Sequence, residues 1–445
     1  MSKTSNVQPV DEMLPPGRLA ALALQHVLVM YAAAAAVPLI VGGAFRLPKD
    51  QIAFLVNADL VACGVATLIQ CIGFWRFGVR LPVIMGVTFA AVGPIVSLAA
   101  TSTTITDIFG AVITAGALTV LVAPLAGRLA RYVPPVVSGT IIAVIGITLL
   151  RVGITWVGGG IGARSFGEPV NLGIALLVLA VILAVLKVFD GFVASIAVLI
   201  GLIIGVCAAM AAGLVDFAGV GAADWFALVY PFRFGLPTFN LGAIVVLCVV
   251  AVVVMVESSG MFLAVGEICQ RRVGPADIAR GLAAEGLSTI IGGVLNTFPS
   301  TPFAQNVGLA GISGARSRWV GAAAGAILIA FGLFPKIGGV VASIPQPVLG
   351  GAGLVMFGMV AATGIRILAR VDYGARHNLL IVAVSIAAGM IPFVSPTFFG
   401  QLPRWMAPLM GSGVVLAALA AVLLNAFFNG ASQASGADRE VPTRS

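Results

Sequence analysis

The stretch TFPSTPFAQNVGLAGIS, from Thr297 to Ser313, lies between long apolar segments but resembles neither a transmembrane helix nor an ordinary loop. Two prolines interrupt its first half, and the polar pair Gln305 and Asn306 follows them. In hydrocarbon, an irregular backbone is tolerated only where it is buried in protein or lines a cavity. The stretch therefore predicts a site at membrane depth, with Gln305 and Asn306 as its polar side chains.

The composition of the chain places this stretch inside a membrane. Of the 445 residues, 60% are apolar and 9% are charged, and the mean hydropathy is +1.13. Soluble domains carry about 25% charged residues, so the sequence predicts a polytopic membrane protein. With about 20 apolar residues for each span, up to about fourteen segments are predicted, centred near residues 30, 62, 90, 118, 143, 179, 203, 250, 287, 306, 329, 355, 388 and 420.

The distribution of basic residues predicts the orientation, because cytoplasmic loops are enriched in Lys and Arg. With the N-terminus inside, 17 basic residues lie on the inner side and 7 on the outer side. We therefore expect a multi-pass protein of the plasma (inner) membrane, surrounded by lipid, with both termini in the cytoplasm. The net charge of +8 follows from this topology and gives no reason to expect a nucleic-acid partner. The tryptophans at 75, 156, 225, 319 and 405 are expected at the membrane–water interfaces.

Few ionisable residues lie within the apolar segments, where each costs about 2.5–3.5 kcal/mol. Glu257 ends the run AIVVLCVVAVVVMVE, Glu285 lies in the short ninth segment, and His26 and Asp59 lie in the first and second. Glu257 could form a structural ion pair, but no Lys or Arg of the apolar segments offers itself as a partner. A ligand site or a proton site is therefore favoured for Glu257.

The other three ionisable residues have structural alternatives. Glu285 can orient another group, His26 can form a hydrogen bond between helices, and Asp59, which lies beside Asn57, is interpreted as structural. Neither reading of Glu285 or His26 is excluded by the sequence.

A second interrupted segment runs from Leu81 to Val96 and reads LPVIMGVTFAAVGPIV, with Thr88 beside Phe89. It is the third predicted segment, and the Gln305 stretch is the tenth. An offset of seven segments gives two halves of opposite orientation, and paired interrupted segments in such a repeat indicate the midplane site of a transporter. Under the same offset, the first segment with His26 corresponds to the eighth with Glu257.

The motif QNVGLAGIS resembles the signature of the nucleobase–ascorbate transporters (nucleobase–cation symporter family 2), which reads Gln/Glu-Asn-any-Gly, four residues, and then Thr. Ser313 takes the place of that threonine, Gly314 stands where fungal relatives often have arginine, and Glu285 stands where many relatives have aspartate. Further matches lie in the expected order, covering about Leu19 to Asn425, and comprise Gln25-His26, VESSG (256–260), AEG (284–286) and SIPQPVLGGAGLVMFG (343–358).

The resemblance implies an all-α membrane fold of fourteen segments in two inverted sevens, with short antiparallel strands in segments 3 and 10. It implies a core domain at 18–132 and 239–344 and a gate domain at 133–238 and 345–429. The Lys/Arg bias and the polar composition of the chain ends predict a cytoplasmic N-terminal segment at 1–17 and a disordered cytoplasmic tail at 430–445. Family members are commonly homodimers that import a nucleobase with protons.

The resemblance and the chemistry of the side chains together predict residue roles. Glu257, an acceptor, suits the N–H groups of a purine ring, and the Gln305 amide can pair with an oxopurine edge. Phe89 packs on the ring, Thr88 tunes substrate choice, and Gly308 permits close approach. Asn306 ties the interrupted backbone together or contacts the substrate. The predicted proton-coupling residues are Glu285, His26 and Glu257.

Gln305 bears on the substrate, because glutamine at this position resembles the xanthine and urate transporters, whereas uracil transporters tend to have glutamate. The predicted function is proton symport of xanthine or urate by alternating access, without a metal or other cofactor. The alternatives are a permease for uracil or another nucleobase and an anion transporter of related fold. A membrane enzyme is disfavoured because the sequence lacks HExxH and GxSxG motifs.

Overall fold

The computed structural model describes residues 8–101, 103–125, 134–160, 162–374, 377–403 and 406–430. The predicted cytoplasmic tail therefore lies outside the described residues, apart from Gly430, and so do the first seven residues of the N-terminal segment. The described chain is mostly helical, with one pair of short strands. This agrees with the helical membrane fold that the composition predicts.

Many of the helices begin at a proline, whose fixed φ suits the first helical turn and whose missing N–H needs no partner there. The first half contains α1 (Pro16–Ala44), α2 (Lys49–Ile72), β1 (Met85–Val87), a 3-10 turn (Phe89–Ala91), α3 (Val92–Ala99), α4 (Ile105–Val122), a second 3-10 turn (Ala123–Leu125), α5 (Pro135–Val157), α6 (Pro169–Val188), α7 (Gly191–Ser195), α8 (Ala197–Ala211) and α9 (Ala218–Ala222). The second half contains α10 (Leu241–Ile268), α11 (Pro275–Val294), β2 (Ser300–Pro302), α12 (Ala304–Ser313), α13 (Arg318–Gly332), α14 (Pro335–Ala342), α15 (Gln346–Leu368), α16 (Asn378–Val394), α17 (Ala407–Met410) and α18 (Gly413–Asn429).

Several of these helices can cross a membrane. Within the described ranges, 7 helices are long and apolar enough, and the pair α13 and α14, bent by 78°, makes up to 8 if it forms one span. Shorter apolar helices include α8, α16 and α18. Every one of the predicted segment centres falls in a helix or 3-10 turn. The count of fourteen spans stays a prediction.

Glycines bring the backbones of the packed helices close together. The main pairs are α5 with α15, α2 with α13, and α4 with α11. A Cβ atom on Gly64 would lie 2.5 Å from the carbonyl oxygen of Gly325, and one on Gly116 would lie 2.7 Å from that of Gly286. Close backbone approach at small residues is how helices associate in lipid, where the hydrophobic effect does not drive them together.

We expect Gly64→Ala to destabilise the protein, because the new methyl group would collide with the backbone of α13. Such overpacking costs roughly 1–3 kcal/mol. The measurement is thermal unfolding of the purified protein in detergent. Gly43→Ala is the matched control, since a Cβ atom at this exposed helical glycine would meet nothing within 4 Å. Equal melting temperatures for the two variants would contradict the close crossing of α2 and α13.

Candidate functional site

The two interrupted segments meet as an antiparallel pair of buried strands, β1 and β2. Met85 lies opposite Pro302 and Val87 opposite Ser300. Two hydrogen bonds extend the pairing beyond the strands, from Thr88 N to the Pro299 carbonyl and from Phe303 N to the Ile84 carbonyl, each 2.9 Å. These short strands are the ones predicted for segments 3 and 10.

Threonines on neighbouring helices satisfy the outer edges of this small sheet. The Met85 N–H donates to Thr67 Oγ1 of α2 at 2.9 Å, and the Ser300 N–H donates to Thr289 Oγ1 of α11 at 3.2 Å. Both threonines are buried. Since an unpaired backbone group at membrane depth costs several kcal/mol, these hydroxyl groups make the extended backbone tolerable.

A second polar contact fixes the start of the interrupted stretch. After α11, Asn296 adopts a left-handed backbone with φ of 66°, and the Thr297 N–H donates to the Gly292 carbonyl at 2.8 Å, which ends the helix. The Thr297 hydroxyl then donates to Asp59 Oδ1 at 2.6 Å. Asp59 is 1% exposed, so its carboxylate joins α2 to the stretch, as its structural interpretation implies.

Each strand leads into a short helix that begins at the site. The buried Thr88 side chain accepts a hydrogen bond from Ala90 N at 3.2 Å and caps the 3-10 turn that precedes α3. Phe303, the residue before α12, provides no side-chain cap. Helix N-termini carry unpaired N–H groups and a partial positive charge, so both helix starts present hydrogen-bond donors to the site.

Helix α10 faces these helix starts. It packs against the Phe89–Ala91 turn, β2 and α12. The buried Ser258 of α10 shares a hydrogen bond with Thr301 at 3.1 Å between their hydroxyl oxygens. The adjacent Glu257 is half-buried and forms no ion pair with any residue that the structure describes. Its carboxylate therefore remains available to a ligand.

The second carboxylate, Glu285 of α11, is 2% exposed and lies near Ser258 of α10. Its Oε2 atom has no partner among the described residues. Ser258 is the neighbour of Glu257 on α10, so the two acids occupy one region. A buried acid without a basic neighbour is costly unless it is protonated or has a functional partner.

His26 and Asn306 join α1 to the start of α12. Asn306 Nδ2 donates to the backbone carbonyl of His26 at 3.1 Å, and Asn306 is 2% exposed. Both ring nitrogens of His26, which is also buried, lack partners within the described chain, as does Asn306 Oδ1. The interhelical hydrogen bond at His26 is therefore made by its backbone carbonyl, and the proton-coupling role of its ring stays a prediction.

Phe89 contacts an aromatic group that the sequence did not indicate. Its ring meets Phe357 of α15 edge-on, with the centroids 5.9 Å apart, and Phe357 in turn contacts Trp156 of α5 at 6.5 Å. Trp156 is 7% exposed and packs in the core one residue before the end of α5, and its expected place at a membrane–water interface stays a prediction. Trp75 and Trp225 are exposed, and Trp405 lies outside the described residues.

Gln305 and Gly308 lie on the open side of α12. Both are exposed, and a Cβ atom on Gly308 would meet nothing within 4 Å. The packing of the protein therefore does not require glycine at 308. Its predicted role, close approach of a substrate, remains a prediction.

The site combines donors and acceptors of the kind that bind a small polar ring. Helix starts and the Gln305 amide supply N–H donors, while Glu257 supplies an acceptor from the facing helix. Interrupted segments that place such groups at membrane depth characterise secondary transporters. The class that the fold and the site define is therefore a multi-pass membrane transporter.

Comparison with known sequences gives the family. A model described as "Permease family" matches residues 17–398. The chain is 51% identical over 424 residues to the uric acid transporter UacT of Escherichia coli (strain K12), covering 95% of this chain and 88% of UacT. It is 44% identical over 414 residues to the uric acid permease PucK of Bacillus subtilis (strain 168), covering 92% and 95%. It is 41% identical over 424 residues to the xanthine permease of the same strain, covering 95% and 97%.

The chain belongs to this permease family, which confirms the resemblance drawn from QNVGLAGIS, and it is not an enzyme. Among solved structures, the transmembrane domain of the cyanobacterial bicarbonate transporter BicA is similar, with a TM-score of 0.60 and 15% identity over 93% of this chain and 98% of that one. SLC26A9 gives a TM-score of 0.58 and 13% identity over 91% and 65%. At this identity the two structures show that the fold is shared.

Proposed function

We propose that this permease imports an oxidised purine nucleobase, xanthine or urate, by proton symport with alternating access. The observation that carries the proposal is the packing of α10, with Glu257, against the helix start that bears Gln305. The names of the relatives, which include uric acid and xanthine permeases, support the substrate class.

The proposed binding contacts follow from the chemistry of the ring. Glu257 accepts hydrogen bonds from ring N–H groups, and the Gln305 amide donates to a ring carbonyl while accepting from the adjacent N–H. Phe89 covers one face of the ring. Thr88, which is buried and caps the Phe89–Ala91 turn, shapes the position of that turn. Gly308 leaves room beside Gln305. Asn306 holds α12 against α1. Its Oδ1 atom has no partner in the described chain and is therefore available to accept a hydrogen bond from the substrate.

The helix packing supports two inverted sevens. In the numbering of predicted segments, α2 packs against α13 (2 with 11), and α4 packs against α11 (4 with 9), which is the same pair displaced by seven. The pairs α1 with α13 and α10 with α4 are related in the same way. The two threonine bonds to the strand edges follow this pattern, since Thr67 lies in segment 2 and Thr289 in segment 9.

Alternating access then follows as movement of the proposed core, 18–132 and 239–344, against the proposed gate, 133–238 and 345–429. The strand pair and its threonines belong to the core, and α5 and α15 belong to the gate. The contact of Phe89 with Phe357 joins the two across the site. Movement of one domain against the other would change the exposure of the Phe89 face.

Glu285, His26 and Glu257 are the proposed proton carriers. The free Oε2 of Glu285 and the two free ring nitrogens of His26 are positions where a proton can be gained without breaking a described hydrogen bond. A proton at this location would offset the repulsion between the two acids and favour ordered contacts to the substrate. Symport requires each ligand to favour binding of the other.

The proposal also covers the membrane location, the orientation and the oligomeric state of the protein. The 17 to 7 division of basic residues supports cytoplasmic termini in the plasma (inner) membrane. A homodimer is proposed from the family resemblance. Among the alternatives, uracil is disfavoured by glutamine at 305, and a small inorganic anion is disfavoured because Glu257 would repel it.

Uptake of labelled xanthine and urate into proteoliposomes is the deciding experiment. A difference of one pH unit, acidic outside, corresponds to about 1.4 kcal/mol per proton. At one proton per substrate we expect about tenfold accumulation, because 1.4 kcal/mol is a factor of ten in concentration. A protonophore should abolish the accumulation but leave exchange of labelled for unlabelled purine intact. Uptake of neither purine, or uptake indifferent to the gradient, would contradict the proposal.

A further inference from the structure

A cavity of about 540 Å³ lies outside the substrate site and is rich in arginine. Its lining comprises Gln8, Asp11, Arg80, Arg271, Arg318 and Trp319. The lining carries three guanidinium groups and one carboxylate, and a second carboxylate, Asp277, pairs with Arg271 from outside the lining, which leaves an excess of one positive charge. Nothing in the proposed transport cycle uses these groups.

The position of the cavity in the fold places it at a membrane surface. The spans α2 and α10 end at Ile72 and Ile268, and α13 begins at Arg318, so three span ends meet around it. This is the surface that the basic residues predict to face the cytoplasm. At this depth the hydrocarbon gives way to lipid headgroups.

The arginines are held in place by bonds that leave further N–H groups unused. Arg318 pairs with Asp11 at 2.7 Å and donates from Nη1 to the Ile72 carbonyl at 3.0 Å. Arg271 donates from Nη1 to the Arg80 carbonyl at 2.9 Å and lies 3.6 Å from Asp277. A guanidinium has five N–H donors, so both can still bind an anion.

Arg80 is the member of the group whose side chain is least committed. It is exposed, and its guanidinium forms no ion pair with any part of the chain that the structure describes. Its backbone is nevertheless fixed, because Arg80 N donates to the Gln70 carbonyl at 2.9 Å and the buried Gln70 side chain accepts from Val79 N at 3.1 Å. The backbone of Arg80 is therefore already in place before a ligand binds, and its guanidinium has no ion-pair partner among the described residues.

The connection between α2 and β1, which contains Arg80, also has aromatic residues at its tip. Phe74 and Phe77 are paired in a tight antiparallel bridge, Trp75 is 78% exposed, and Arg76 lies over the Trp75 ring at 5.7 Å from its centroid. Exposed aromatic rings beside basic residues at span ends are typical of the headgroup layer. The tip therefore brings the cavity to the depth of lipid phosphates, which favours a lipid over a solute as the source of the anion.

We propose that the cavity binds the phosphate of an anionic phospholipid headgroup. Arg80 and the free N–H groups of Arg271 and Arg318 contact the phosphate oxygens, for which the planar guanidinium is well suited. Basic pockets between membrane helices bind such headgroups by the same chemistry. The bound lipid would also support the N-terminal segment, since Arg318 N donates to the Val10 carbonyl at 2.9 Å and Val10 is buried.

The experiment uses the purified full-length protein in a neutral detergent, titrated with short-chain phosphatidylglycerol and followed by its melting temperature. We expect a saturable rise with phosphatidylglycerol and none with phosphatidylcholine of the same chain length. Arg80→Gln should weaken the apparent affinity about tenfold, because it removes one charge-assisted contact. Arg370→Gln, which changes an exposed arginine in the turn after α15, is the matched control and should behave as the unchanged protein.

Inorganic phosphate forms the second arm and separates the two sources of the anion. A rise of equal size with phosphate, lost in Arg80→Gln, would overturn the lipid assignment in favour of a free anion. Absence of any rise with phosphatidylglycerol, or an equal rise in Arg80→Gln, would overturn the site itself. Because the readout is lipid binding, its result does not depend on the transported substrate.

Discussion

Glu257→Gln is expected to lower kcat/KM for purine uptake at least about a hundredfold. The substitution keeps the size of the side chain but replaces one acceptor oxygen with an NH₂ donor. Two charge-assisted hydrogen bonds to ring N–H groups are each worth about 1.5–3 kcal/mol. One would be weakened by loss of the negative charge, and the other would be lost because the new NH₂ group, a donor, faces a ring N–H, also a donor. Initial rates of labelled xanthine and urate uptake in proteoliposomes give the measurement.

The loss should be specific to the site, because Glu257 has no ion-pair partner in the described chain and its removal leaves no charge unpaired. We therefore expect an unchanged melting temperature. Glu267→Gln is the matched control, since Glu267 lies on the same helix but is exposed. Uptake by Glu257→Gln at the rate of this control would exclude Glu257 from substrate binding and proton coupling.

The sequence was most informative where its residues do not suit the interior of a membrane. Prolines and polar residues at 299–306 cannot be stable in hydrocarbon without partners, so a site there was predictable from physical chemistry. The strand pair itself came from the family resemblance, since three-residue strands leave no periodic pattern to read. The register of Met85 opposite Pro302 depends on contacts more than 200 residues apart in the chain.

The groups that the sequence did not reveal act through tertiary contacts. Thr67 and Thr289 look like ordinary small polar residues of membrane helices, and only the fold places them at the strand edges. Phe357 is one of 25 phenylalanines, so composition could not single it out as the neighbour of Phe89. Likewise, nothing in the sequence around Trp156 indicates that the packing of α5 against α15 buries it.

Gln305→Ala is expected to reduce kcat/KM for purine uptake about ten- to a hundredfold, with little change in stability. Two neutral hydrogen bonds to an oxopurine edge, each worth about 0.5–1.5 kcal/mol, account for the lower end of that range. Loss of alignment of the ring against Phe89 and Glu257 adds to the effect, because small displacements of a bound group are costly. Gln401→Ala changes an exposed glutamine of a loop and is the matched control.

Gln305→Glu distinguishes hydrogen bonding from simple occupancy of space. The carboxylate keeps the length and the acceptor of the amide, but it cannot donate to a ring carbonyl and brings a second negative charge towards Glu257. If the amide pairs with an oxopurine edge, Gln305→Glu should transport xanthine and urate no better than Gln305→Ala. Wild-type rates in Gln305→Glu would show that the donor is not used, and the choice of an oxidised purine over uracil would then lose its physical basis.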